Sequence, residues 1–226
     1  MHCRSLLYAI AAAAALSGCA TTQQSPIDDM STHEGLVKAN VKGVDAVYNR
    51  PGANLASYDK ILLRPIAVEF SKNWKPEDDS ALYRMNEPDR DKIKKDLAKA
   101  FDDVFRQVLQ EKGGYQVVSE PAKDVLEVQA AIVNLYINAP DVSMQTAARV
   151  KTYTTSAGEM TLIAELHDSV TGTLLSRAYD RREDLGSGGQ WTWTDSVTNS
   201  ADARREIRRW AELLKNALDA SRGKTG

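Results

Sequence analysis

Val125-Leu126-Glu127-Val128-Gln129-Ala130-Ala131-Ile132-Val133-Asn134-Leu135-Tyr136-Ile137 is the stretch that decides how this chain folds. It is apolar at most positions and rich in branched residues. That composition predicts a long strand inside a sheet, with neighbours on both sides. Downstream, Ala147 to Thr154 reads as a further strand. Met160, Leu162, Ala164 and Leu166 then alternate with Thr161, Ile163, Glu165 and His167. Asp168-Ser169-Val170-Thr171-Gly172 turns the chain, and Thr173 to Glu183 returns as the second arm of a hairpin.

Upstream, Tyr115-Gln116-Val117-Val118 is a short strand closed by Pro121. Before it, Ile93, Leu97, Phe101, Val104, Phe105, Val108 and Leu109 recur at spacings of three and four, which is one apolar stripe of a helix. Pro88 and Asp89 suit its first turn, and Gly113-Gly114 its end. Lys94, Lys95, Asp96, Lys99, Asp102, Asp103 and Arg106 fall between the apolar positions and read as a solvated face. Earlier still, Lys60 to Phe70 reads as a strand. Pro65 cannot donate a ladder hydrogen bond, so this strand lies at an edge or is broken. A last helix runs roughly from Ala201 to Ala220. Asn199 or Ser200 caps it, and Ile207, Trp210, Leu213, Leu214, Ala217 and Leu218 form its buried side. The expected order is β-α-β-β-β-β-α. It predicts an α+β two-layer sandwich, a mainly antiparallel or mixed sheet of about five strands with two long helices on one face.

The amino terminus reads differently. Met1-His2-Cys3-Arg4 is a short basic start, followed by an apolar centre ending in Ala11 to Ala15. This is a secretory signal pattern, and it is shorter than the ~20 apolar residues of a membrane span. Leu16-Ser17-Gly18-Cys19 resembles the bacterial lipobox. That resemblance implies cleavage before Cys19, a lipid thioether on its sulfur and acylation of the new terminus. Ala20 follows where an aspartate would act as an inner-membrane retention signal, so the resemblance implies sorting to the outer membrane, facing the periplasm. The chain has two cysteines. Cys3 leaves with the signal and Cys19 carries lipid, so the domain holds without disulfides. The expected organisation is a signal peptide over 1–18 and a lipidated terminus and flexible tether over 19–44. A single α+β domain follows over 45–222, then a disordered tail over 223–226. A flexible chain of that tether length spans ~25–30 Å. The formal charge of −2 over 226 residues gives no footprint for nucleic acid.

Several segments together resemble a bacterial lipoprotein family known only as domain of unknown function 3313. They are Val47-Tyr48-Asn49-Arg50-Pro51-Gly52, Tyr58-Asp59-Lys60-Ile61-Leu62-Leu63, Val68-Glu69-Phe70, Asn73-Trp74 and Asn138-Ala139-Pro140-Asp141. Ser156-Ala157-Gly158-Glu159-Met160 and Asp168-Ser169-Val170-Thr171-Gly172-Thr173-Leu174-Leu175 complete the set. The resemblance implies a periplasm-facing lipoprotein. It implies no reaction and carries over no functional residue.

No catalytic set converges in the sequence. After the signal only His33 and His167 remain, and no zinc pattern is present. Asp168 follows His167 directly, and adjacent strand residues point to opposite faces, so they make a poor pair for a serine triad. Ser57-Tyr58-Asp59-Lys60 with Lys224-Thr225-Gly226 imitates a penicillin-binding enzyme, but the first four open a strand instead of a helix. Gly186-Ser187-Gly188-Gly189 lacks the lysine of a phosphate loop and reads as a linker. Trp191 and Trp193 place two indoles on one side of an extended segment. One or both cover the sheet edge or the start of the last helix, or they form an exposed patch for a protein or glycan. Arg177, Arg181, Arg182 and the arginines of the last helix form a basic patch unless Glu165, Glu183 and Glu206 neutralise it.

The expectation is a non-catalytic outer-membrane lipoprotein that binds an envelope protein or cell-wall partner and needs no cofactor or metal. The alternatives are an envelope hydrolase with a carboxylate-based site, and a structural subunit docking through the sheet edge at the Pro65 strand.

Overall fold

The computed structural model describes residues 34–75, 87–137, 152–154, 158–183, 192–194 and 196–224. The signal segment, Cys19 and the chain up to residue 33 lie outside the described residues. So do the 138–141 segment, the start of the strand expected from Ala147, and the glycine linker.

The elements in chain order are β1 (Val37–Ala39), β2 (Ala46–Asn49), a 3-10 turn (Leu55–Ser57), β3 (Lys60–Leu63) and β4 (Ala67–Phe70). Helix α1 (Glu87–Arg106) runs into a π-helical turn (Gln107–Lys112). Then come β5 (Gln116–Val118), β6 (Val125–Ile137), β7 (Thr152–Thr154), β8 (Gly158–Asp168), β9 (Leu174–Glu183), β10 (Thr192–Thr194) and α2 (Ser196–Ser221).

The fold is α+β with a mixed sheet. Its order is β1-β2-β9-β8-β6-β3-β5, with β4 also paired to β6. The β1, β2, β9, β8 and β6 ladders are antiparallel, whereas β3, β4 and β5 add in parallel. The expected count of about five strands is corrected to eight in this sheet, and the expected element order fails with it. The reasons are local. Strands β1 and β2 are three and four residues long and lie in a polar, turn-rich stretch with too few positions to show alternation. Pro65 splits the expected first strand into β3 and β4. Strand β7 pairs with β10 in a separate two-stranded ribbon instead of joining the main sheet.

Strand β6 is central, as its composition predicts: β8 lies on one side, β3 and β4 on the other. Its alternate residues Leu126, Val128 and Ile132 are buried in one core with Leu162 and Leu166 of β8. Phe101, Val104, Phe105, Val108 and Leu109 of the first helix join the same core, as do Ile207, Trp210, Ala211 and Leu218 of α2. A smaller cluster of Leu36, Ala46, Tyr48 and Leu174 ties β2 to β9. The stretch expected as tether through residue 44 therefore contains buried Leu36 and strand β1. At the other end, the Lys224 amide bonds to the Asp219 carbonyl, and Gly223 (φ +68) makes the turn that closes α2. Residues 225–226 lie outside the described set.

Two local features give predictions. Asn134 has φ 53 where the β6–β8 register shifts between Val133 and Tyr136. A left-handed residue costs about 1–2 kcal/mol for ordinary side chains, less for asparagine and least for glycine. Asn134→Val is therefore expected to lose about 1–2 kcal/mol in urea unfolding, while Asn134→Gly is expected to stay near wild type.

The second feature is a pair of tyrosines. Tyr58 Oη donates to Asp168 Oδ2 at 2.9 Å, and Tyr115 Oη donates to Asp219 Oδ1 at 2.7 Å. Arg222 spans both: it stacks over the Tyr115 ring at 4.7 Å and donates to the Tyr58 carbonyl. Burial, then the hydrogen bond to a carboxylate, pushes each phenol up to about 12 from 10.0. The protonated phenol is the form the fold stabilises. Its contribution is present in full below the unfolded value of 10 and is lost as pH climbs to about 12. Near-ultraviolet titration of the native protein should show two late phenols, and one of them should disappear in each of Tyr58→Phe and Tyr115→Phe.

A candidate binding cleft at a step in the sheet edge

The Lys60–Phe70 run is one strand in composition but two in structure. The Arg64 amide still bonds to the Val128 carbonyl at 3.0 Å. Pro65 has no N–H to continue the ladder. Before the break, β3 is flanked on its outer side by β5. After it, β4 pairs with β6 and, among the described residues, has no strand on its other side. The sheet edge thus steps inward by one strand at Pro65.

A cleft of about 610 Å³ fills the step, floored by Leu62, Leu63, Val117 and Val118 and rimmed by Arg64, Arg106 and Glu120. A second hollow of about 230 Å³ continues beneath α1 past Ala98, Phe101 and Asp102, sharing Leu63, Arg64, Pro65 and Arg106. The larger volume is in the range of small-ligand and peptide sites.

Its charged groups are Arg64, Arg106 and Glu120, and both arginines are paired. Arg64 Nη2 bonds Glu127 Oε2 at 3.0 Å, and Gln129 Nε2 holds the other oxygen of Glu127 at 2.7 Å. The Arg64 hydrogen bond holds the Glu127 carboxyl below its ordinary range, and Glu127 in turn raises Arg64. The Arg64 side chain is 47% exposed and that of Glu127 only 9%. The pair therefore turns its positive end to solvent. Arg106 reaches Asp102 through Nε at 2.8 Å, and that contact raises its guanidinium. The residues lining the cleft include no histidine or cysteine and only one hydroxyl, Ser119. The floor is apolar, and the charges at the rim are two ion-paired arginines and the carboxylate of Glu120.

The residues singled out in the sequence fall elsewhere. Cys19, His33 and Trp191 lie outside the described residues. Trp193 is in β10, directly opposite Tyr153 of β7. His167 faces Glu165 through Nε2 at 3.0 Å and the Gly172 carbonyl through Nδ1 at 3.1 Å. Asp168 turns away from it to accept from the Val170 and Thr171 amides and from Tyr58. Burial raises the Glu165 carboxyl, but the hydrogen bonds from His167 and Arg177 outweigh it and hold the group low. Ser57 donates to the Asn54 carbonyl and Lys60 pairs with Asp124, so the two do not meet.

Of the basic residues expected as a patch, the β9 arginines are neutralised in place; in α2, Arg205 pairs with Asp202, while Arg208 donates to the Gln107 side chain. Arg177 pairs with Glu165 and Glu34, and Arg181 with Glu159 and Glu183. Arg182 contacts Asp180 at 2.5 Å and approaches Glu206 at 4.0 Å. Among the described residues no cluster of three or more His, Cys, Asp or Glu is placed to hold a metal ion, and no helix is long and apolar enough to cross a membrane. Sequence reasoning missed Arg64 and Arg106 as neighbours. They are 42 positions apart and only the fold joins them, although Pro65 marked the place.

No curated protein matches the chain. Among solved structures, a PelC dodecamer from Paraburkholderia phytofirmans is 16% identical, with a TM-score of 0.36, covering 75% of this chain and 95% of that one. A second PelC dodecamer from the same organism, in another crystal form, is 15% identical at a TM-score of 0.37, covering 75% and 96%. A Xanthomonas campestris protein of the DUF330 family is 16% identical at 0.32, covering 76% and 93%. At the level of sequence, the model described as "Protein of unknown function (DUF3313)" matches residues 29–214. The chain therefore belongs to the DUF3313 family.

Proposed function

We propose that this protein is a lipid-anchored lipoprotein of the outer membrane whose periplasm-facing domain binds another envelope component and carries out no reaction. The observation that carries this reading is the Leu16-Ser17-Gly18-Cys19 junction between an apolar run and a polar stretch. Two or three acyl chains on Cys19, at ~0.8 kcal/mol per buried CH₂, give a firm anchor. The described domain starts at Glu34, leaving residues 20–33 as the link to the lipid. Binding is supported by the stepped edge at Pro65, which gives the domain a cleft and a strand, β4, paired on one side only among the described residues. The same edge supports the structural-subunit reading, in which the captured component is a permanent neighbour.

Crosslinking in the native envelope tests this reading, with the lipidated protein and Cys19→Ala compared. A stoichiometric partner captured by the lipidated form and lost with Cys19→Ala is the expected result. No partner in either arm would contradict binding and turn attention to envelope hydrolysis. Trp191 and Trp193 are proposed as partner anchors. Replacing both with alanine should weaken capture and leave the melting temperature within a few degrees. A fall of ten degrees or more, about 3–5 kcal/mol in a domain of this size, would assign them to the core instead.

A further inference from the structure

We propose that the β1 side of the domain rests on the anionic surface of the bilayer that holds the anchor, which turns the Pro65 cleft away from the membrane. This rests on the reading of Cys19 as lipidated, and it adds how the anchored domain is oriented and what its first strand touches.

Three observations converge on it. The first is where the chain enters the domain. Glu34 is held twice: its carboxylate accepts from Arg177 Nη2 at 2.9 Å, and its carbonyl accepts from Arg50 Nη2 at 3.0 Å. Leu36 is buried with Tyr48 and Leu174. The entry point is therefore fixed beside β2 and β9, at the start of β1. Residues 20–33 separate it from Cys19. Even fully extended, a link of that length reaches about 50 Å at most. The lipid thus keeps the β1 side of the domain within reach of the bilayer.

The second is what that side exposes. Val37 is 58% exposed and Val41 39%. Val37 and Ala39 share a face with Val47, which stands opposite Ala39 and Ala178. Asp180, two positions beyond Ala178, bonds Trp210 on that face, so α2 flanks it. Gly43 lies against this helix: a Cβ there would stand 3.6 Å from Leu213 and 3.8 Å from the Arg209 guanidinium. Lys42 and Arg209 are therefore neighbours, and both are exposed. The carboxylates of this side are engaged with other groups. Glu34 pairs with Arg177, Asp45 accepts the Arg181 amide, and Glu206 lies near Arg182 and Arg205. Valines with adjacent cations suit the headgroup boundary, where the apolar groups enter and the cations meet lipid phosphate. Each basic side chain at an anionic surface is worth about fivefold in binding. So small a patch holds because the anchor already keeps it at the bilayer.

The third is position. Strands β1 and β5 stand at opposite ends of the strand order. Six spacings of ~4.8 Å put them about 29 Å apart. With β1 on the bilayer, the cleft beside β3 and β5 opens away from it, toward the envelope components that the binding role requires.

The test uses the full lipidated chain in vesicles of phosphatidylethanolamine and phosphatidylglycerol whose acyl chains carry bromine, a contact quencher. A fluorophore on Asn40→Cys reports the β1 side, and one on Gln116→Cys reports β5; both positions are exposed. The Asn40 probe should be quenched and the Gln116 probe should stay bright. Lys42→Gln combined with Arg209→Gln should lower the docked-to-free ratio about tenfold or more, and so should neutral phosphatidylcholine in place of phosphatidylglycerol. Val41→Asp should also release the Asn40 probe. All three side chains are exposed, and an unchanged melting temperature checks that the fold survives. Equal quenching of both probes, an unquenched Asn40 probe, or quenching indifferent to phosphatidylglycerol and to the double variant would each overturn the proposal. Shielding of the Asn40 probe from aqueous iodide that grows with protein density in neutral vesicles would assign this side to a second copy of the chain and overturn it as well. The mass of the amino-terminal peptide separates this failure from that of the anchor. Lipid on Cys19 with an unquenched Asn40 probe would sink the docking proposal and leave the anchored reading standing. No lipid on Cys19 in the native protein would remove both.

Discussion

Asp180→Ala is expected to cost about 3–5 kcal/mol of folding stability, the cost of breaking a buried ion pair from one side. Asp180 lies on β9 opposite Leu162 and is 1% exposed. Its Oδ2 accepts from Trp210 Nε1 of α2 at 2.6 Å and from Arg182 Nε at 2.5 Å. Its Oδ1 accepts the Asp45 amide at 3.1 Å, just before β2. One carboxylate thus joins the last helix, the sheet and the entry to its outer strands. Alanine would strand an indole N–H and a backbone N–H. It would also leave Arg182 to the Gly43 carbonyl and to Glu206, 4.0 Å away. Each unpaired buried donor adds about 1–3 kcal/mol on its own, so the total belongs at the upper end of single-site effects. Trp210→Phe removes one donor and keeps most of the packing, and should cost less, about 1–2 kcal/mol. Urea unfolding with an unchanged slope is the measurement. A loss below about 1 kcal/mol for Asp180→Ala would mean that water replaces the carboxylate and that the cluster does not hold α2.

Phe101→Ala is expected to cost about 3–5 kcal/mol for a different reason. Its ring is 1% exposed, stacks on Phe105 at 3.9 Å between centroids, and packs where α1 meets the sheet. It also lines the hollow beneath α1. Truncation would lose the buried ring and enlarge that hollow, and backbone collapse cannot fill a space between a helix and a sheet. Phe101→Leu, which keeps most of the volume, should cost less than half as much. The contrast separates cavity formation from general weakening of α1. Equal losses for both variants would show that ring stacking, and not volume, is what the site requires.

The parts of this fold that were legible in the sequence are those with long periodic patterns. Val125–Ile137 announced a central strand, the Met160–Glu183 alternation a hairpin, and the Ile93–Leu109 and Ile207–Leu218 stripes two helices. Each has enough residues for burial to impose a period. Strands β1 and β2 do not. Their burial comes from Leu36, Tyr48 and Leu174 meeting across the sheet, which no local window contains. Strand direction was also invisible. Parallel pairing of β3, β4 and β5 depends on the crossover through α1, a property of the chain path and not of composition.

The candidate site was half legible for the same reason. Pro65 marked a break or an edge, and both occur: β3 is interior, and the edge begins after it. Arg64, Arg106 and Glu127 carry no motif and meet only because β3, α1 and β6 do. The tryptophan pair showed the reverse. It stood out in sequence, yet Trp191 lies outside the described residues, and Trp193 is placed by its register with Tyr153. The arginines of β9 stood out as well, and their neutralisation by Glu165, Glu183 and Glu206 follows from cross-strand and helix–strand neighbours.

We propose that this domain works at the membrane through a lipid on Cys19. The most direct measurement is the mass of the amino-terminal peptide from protein purified out of native envelopes. The expected chain begins at Cys19 and carries a diacylglyceryl group on sulfur and an acyl group on its amine, with Cys19→Ala giving an unmodified chain released from the membrane fraction. A first residue other than Cys19, or Cys19 bearing no lipid, would contradict it.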